Sequence, residues 1–153
     1  MLPELNSFED LFGKLEHDMK RLSTTGHIYE LLDCLLTLNA LPEWIKNSPD
    51  GNEKIKQTAH EKLEIMKGRD FDFNQDTISE DIDQKLRLIR LVCNHAKHKT
   101  DSNQIPKIVR EYGATFPFQF PAKLGFVITV GDKKLDAEDI ILEVVNFWKA
   151  LAK

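Results

Sequence analysis

Two cysteines in 153 residues, Cys34 and Cys93, are too few for a disulfide framework. Both sit inside apolar helical patterns, so they are expected as buried free thiols, which suits a reducing cytoplasmic compartment. No apolar run approaches the 18 residues or so that a membrane helix needs, so nothing is expected to span a membrane. The opening stretch MLPELNSFEDLFGKLEHD carries acids early and lacks the apolar core of a signal peptide. Seven glycines and six prolines are scattered rather than clustered, with no repeat and no low-complexity tract. Neither sign of charge dominates: the net charge of −4 gives no global reason to seek nucleic acid or an anionic surface. No GxGxxG, Walker-type or GxSxG pattern is present.

What remains is an ordinary globular composition, 41% hydrophobic and 30% charged, of one-domain length. The expected domain is the whole of 1–153. Asn6 or Ser7 can cap a first helix to about Arg21, with Phe8, Leu11, Phe12, Leu15, Met19 and Leu22 as its apolar stripe. The TTG at 24–26 ends it. A second helix, about His27 to Ala40, is apolar over much of its circumference and therefore central. Pro42 opens a short further turn in LPEW. Glu53 to Lys67 reads as an amphipathic, mostly exposed helix, and GRDFDFNQD as a loop. Thr77 followed by Glu80 has the form of a capping box for a long third helix ending near Thr100.

Beyond Asp101 the pattern changes. Phe116, Phe118 and Phe120 alternate between prolines and suggest an extended edge or loop. LGFVITV is a strand with Phe126, Ile128 and Val130 on one face, GDKK a tight turn, and KLD a short returning strand. Asp136 caps a last helix striped by Ile140, Ile141, Val144, Phe147, Trp148 and Leu151. The fold class is mainly α: a helical bundle with a small C-terminal β-hairpin.

Charge is uneven locally. From Lys85 to Arg110 there are seven Lys/Arg against one acid, so the segment is +6 in a chain of −4. Its densest part is RLVCNHAKHK, Arg90 to Lys99. On a helical wheel Arg87, Arg90, Asn94, Lys97 and His98 share one arc about 100° wide, while His95 stands about 140° from Arg90. A guanidinium binds phosphate, an imidazole moves a proton near neutrality, and an asparagine orients a ring or donates to an oxyanion. Such a face could cleave a phosphodiester without metal. Equally, bases at a helix C-terminus complement its dipole, and the face could simply be solvated. His95 and His98 lack accompanying carboxylates or thiolates, so no metal or other cofactor is expected. His17, His27 and His60 read as isolated, solvated side chains, and Cys93 as a core residue.

Arg90, four residues, then His95, on a helix of a small bundle, resembles the signature of the HEPN superfamily. LVCNHAKHK is similar to a bacterial HEPN-like group with an Asn-x-x-Lys-His segment, here Asn94, Lys97 and His98. LPEWI at Leu41 to Ile45 and the tail FVITVGDKKLDAEDIILEVVNFWKAL add to the likeness. The resemblance implies a HEPN-like homodimer whose arginine and histidine converge at the subunit interface. In active relatives that makes a metal-independent endoribonuclease of toxin–antitoxin or phage-defence type. It implies catalytic roles for Arg90, Asn94 and His95 or His98, and RNA contacts from Arg87, Lys97 and Lys99. RNA and an antitoxin or other protein are then the expected partners. His95 fits the family spacing, whereas His98 shares the face of Arg90. The other reading is a non-catalytic interaction or nucleotide-binding module on the same basic face.

Overall fold

A computed structural model describes residues 5–98, 106–112 and 124–153; within these, the side chains at 97, 98, 111, 112 and 124 lie outside the description. Among the described residues the chain forms five α-helices and one three-stranded antiparallel sheet. It is a helical bundle, as its periodicity predicts.

Helix α1 is Phe8–Thr25. Ser7 caps it: its hydroxyl accepts from the Asp10 amide at 3.2 Å, and Asp10 accepts in return from the Ser7 amide at 2.9 Å. Gly26, at φ 62, closes the helix by donating its N–H to Leu22 O at 2.9 Å. The helix thus runs four residues past the expected Arg21.

Helix α2, Ile28–Lys46, is the central element and packs against α1 as well as the later helices. Leu31, Cys34, Leu35, Leu38, Leu41 and Ile45 are all fully buried along it. It does not break before Pro42, contrary to expectation. Proline forfeits one backbone bond and crowds the preceding turn. Here the buried Leu41, Pro42 and Ile45 keep the chain helical through it. His27 is a second departure. It is exposed, as expected, but not isolated: it caps α2, its Nδ1 accepting from the Tyr29 amide at 3.2 Å while Glu30 reaches back to the His27 amide.

Helix α3 is Glu53–Met66, capped by Asn52 and buried along Ile55, Ala59, Leu63 and Met66. A short 3₁₀ turn, Gln75–Thr77, follows the loop. Helix α4 is Ile82–His98. The expected Thr77 capping box is not its start: Thr77 lies in the 3₁₀ turn, its hydroxyl on Asn74 O. Asp81 does that work instead, its carboxylate accepting from the Asp83 amide at 2.9 Å and its carbonyl from the Lys85 amide.

The sheet runs β1 (Lys107–Tyr112), β2 (Leu124–Val130), β3 (Lys133–Asp136), in that order. The β2–β3 hairpin was expected and β1 was not. Phe126, Ile128 and Val130 turn inward, with Ile128 opposite both Ile108 and Leu135. Helix α5, Ala137–Ala152, is capped by Asp136 and buries Trp148 completely. It packs on β2, β3, α2 and α4, so sheet and helices share one core. The phenylalanine alternation at 116–120 lies outside the described residues. Among those described, no helix is long and apolar enough to cross a membrane.

Two ion pairs fix α4. Lys62 on α3 meets Asp83 at 2.7 Å, and the buried Lys85 meets Glu143 on α5 at 2.6 Å. With its core face against α2, α3 and α5, α4 has its polar arc fixed in direction.

Candidate anion-binding face on α4

The face begins at Arg87. Its Nη1 donates to the carbonyl oxygen of Met66 at 2.6 Å, one of the carbonyls that the end of α3 leaves without a helical partner. The guanidinium lies against Gly68, where a Cβ would fall 2.8 Å from Nη2. Burial first, and the Arg90 charge second, hold Arg87 below the ordinary arginine range. It stays a cation, since the guanidinium does not deprotonate in proteins. Arg87 is therefore a fixed positive charge whose donors are partly spent on the protein.

Arg90, three residues on, is half-buried. Among the described residues no hydrogen bond or ion pair engages its guanidinium, although it is close enough to Arg87 to repel it. Asn94, one turn further and also half-buried, likewise has no hydrogen-bonding partner among the described residues. So Arg87, Arg90 and Asn94 share the face that the helical wheel gives them. Two like charges on one helix face raise the local potential and favour an anion between or above them. The backbone of Lys97 and His98 continues α4; their side chains, and Lys99 altogether, lie outside the described residues.

His95 is elsewhere. It lines a groove of about 470 Å³ with Ile28 and Leu32 of α2, Val92 and Ala96 of α4, and Pro106 to Val109 at the start of β1. Its Nδ1 is buried without a hydrogen-bond partner among the described residues. Arg90 and Asn94 do not line this groove. The structure thus separates the two arms of the Arg90–His95 motif within one chain. Sequence reading missed the groove because its walls come from segments some 80 residues apart.

No group of three or more His, Cys, Asp or Glu side chains that could hold a metal occurs among the described residues. Cys34 is no nucleophile at neutral pH: burial, then the Asp18 charge, push its thiol up to about 12. His17 and His60 are exposed, as expected. Compared with protein-family models, with curated proteins and with solved structures, the chain matches none.

Proposed function

We propose that this is an RNA-directed, HEPN-like protein that cleaves RNA without metal, as a homodimer in the cytoplasm, in a toxin or phage-defence setting with an antitoxin or similar protein partner. The observation that supports the reading is the Arg90 guanidinium, half-buried and unengaged by the described protein groups, above a cationic Arg87 and beside Asn94. A guanidinium so placed suits bidentate contact with a phosphodiester.

In the proposed reaction a ribose 2′-OH attacks the adjacent phosphorus. A histidine takes the hydroxyl proton, the bond from phosphorus to the 5′ oxygen breaks, and the imidazolium so formed returns the proton to that leaving oxygen. Arg90 offsets the charge on the phosphoryl oxygens and Asn94 orients the imidazole. The products are a 2′,3′-cyclic phosphate and a 5′-hydroxyl. His98 is the histidine on the Arg90 arc, and the partner subunit would bring a second copy of each group.

The alternative reading is a dimeric interaction or nucleotide-binding module that uses the same face without chemistry. One observation favours it: His95, the histidine at the family spacing, opens on a groove that Arg90 does not share. The two readings part on one experiment. Single-stranded RNAs of varied sequence are incubated with the protein in EDTA and their ends analysed. Cyclic-phosphate ends support cleavage. RNA bound but intact supports the module, and RNA neither bound nor cut overturns the RNA-directed reading and favours a protein partner or no ligand.

A further inference from the structure

The groove at His95 has the chemistry of a small-molecule site, and it stands on a different flank of α4 from the proposed RNA face. Its walls are Ile28, Leu32, Val92, Ala96, Pro106, Ile108 and Val109, all aliphatic. Val109 is exposed although apolar, and Ile28, Leu32 and Ile108 are only partly buried. A volume of about 470 Å³ falls within the range of small-molecule sites, about 300–1,000 Å³. Such sites pair an apolar lining with a few polar groups that orient the ligand.

Two side chains supply the polar groups. His95 Nδ1 is sealed from solvent and has no hydrogen-bond partner among the described residues. A buried N–H without an acceptor is rarer and costlier than a lone pair without a donor, which assigns the bare lone pair to Nδ1. The ring proton is then on Nε2, which is not among the sealed nitrogens and has no hydrogen-bond partner among the described residues. His95, which lines the groove, thus carries its N–H donor on the nitrogen that is not sealed. Lys107 is the second group. It is exposed, lines the same groove, and no described acid pairs with its ammonium. Among the described residues no acidic side chain lines the groove, and Ile28 is the first residue of α2, where the helix dipole is positive. The polar groups that the described lining supplies are therefore donors, one of them cationic.

The geometry points to a binding site for a free aliphatic monocarboxylate, its hydrocarbon chain along Leu32, Val92 and Val109 and its carboxylate accepting from His95 Nε2–H and the Lys107 ammonium. A carboxylate matches the two donors and the positive field. No Phe, Tyr or Trp is among the described lining residues; this favours a flexible chain over a flat ring system, which gains most from stacking.

Methyl NMR on the full chain, titrated with octanoate, tests this. The methyls of Leu32, Val92 and Val109 shift together and saturate. 1-Octanol, with the same chain and no charge, binds at least ten-fold more weakly, and octylammonium more weakly again. Lys107→Glu, at an exposed position, and His95→Phe, which keeps the ring and loses the donor, each weaken octanoate at least ten-fold while thermal melts report folded protein. Should His95→Phe not fold, Lys107→Glu and the three ligands decide. Nitrogen shifts of the His95 ring report Nδ1 as the unprotonated nitrogen. Unmoved groove methyls at millimolar octanoate, octanol binding as tightly as octanoate, or a proton on Nδ1 would each overturn the assignment.

Discussion

Arg87 Nη1 and the carbonyl oxygen of Met66 lie 2.6 Å apart, so α4 donates directly to the open end of α3. A charge-assisted hydrogen bond of this kind contributes about 1.5–3 kcal/mol. Arg87→Ala is expected to destabilise the fold by about that much, read as a lowered midpoint in urea. Gly68→Ala should act on the same contact from the other side. Gly68 has φ +78, and its new Cβ would fall 2.8 Å from Arg87 Nη2. Strain at a left-handed position costs on the order of 1–3 kcal/mol. If neither variant moved the midpoint, Arg87 would be no anchor.

Arg90 should behave in the opposite way. It is three residues from Arg87, yet no described group holds it. Arg90→Ala is expected to leave stability within about 0.5 kcal/mol of wild type, as at ordinary surface sites. It should abolish RNA cleavage and lower the salt dependence of RNA binding by about one released ion. Asn94→Ala should fall between Arg90→Ala and wild type in rate. His98→Ala should abolish cleavage, and His95→Ala should leave it. Loss with His95 and not His98 would move the chemistry to the family spacing. Equal RNA affinity for Arg90→Ala and wild type would remove the anion-binding face.

The contrast between these two arginines shows what a sequence carries. The helical wheel places Arg87, Arg90 and Asn94 on one arc, and they are there. It cannot show that Met66 ends a neighbouring helix beside Arg87, because that depends on how α3 packs. Ser7, Gly26 and the Phe126–Ile128–Val130 alternation were legible, since each is a local rule. Strand β1 was not. In KIVREY, Ile108 and Arg110 stand opposite the inward Ile128 and Phe126, and the exposed Arg110 lies over the Phe126 ring at 4.7 Å while donating to Gly26 O. An arginine at a position of the apolar register hides the alternation that marks a strand. The run through Pro42 was hidden as well, because burial of α2 overrides a local breaker.

Lys85 offers a test of how α4 is held to α5. Its side chain is buried, and it donates to Glu143 at 2.6 Å and to Ser79 O at 3.0 Å. Glu143 is half-exposed, so water can replace the lysine around it. Lys85→Met should cost about 1–3 kcal/mol through two lost bonds. Glu143→Gln keeps an acceptor and should cost less than about 1 kcal/mol, as for a solvent-screened pair. Equal losses, measured by chemical denaturation, would contradict this asymmetry.

The two thiols should be silent in the folded protein. Cys34 and Cys93 are both buried, and burial pushes the Cys34 thiol up to about 12. The thiolate is the reactive form, so a disulfide reagent at neutral pH should label neither residue at a useful rate. Both should react once urea unfolds the chain. Prompt native-state labelling of Cys34 would mean that α1 and α2 open readily over it.

Acid should loosen the starts of α1 and α2. The amides of Asn6 and then Ser7 hold Asp10 below its ordinary value of 3.8. The Thr25 hydroxyl first, then Arg21 and the His27 amide, hold Glu30 below 4.5 against the opposing effect of burial. A carboxylate whose folded value is depressed binds its proton more readily when unfolded. Its contribution is therefore fully present above the unfolded value and is lost as pH falls through the folded one. Stability should be flat near neutrality and fall below about pH 4, where the capping carboxylates take up protons. Asp10→Asn and Glu30→Gln should each lower stability at neutral pH and make the acid slope shallower, since each removes one linked proton. Melts from pH 6 to pH 3 would show both effects, and an unchanged slope in both variants would place the acid sensitivity in other carboxylates.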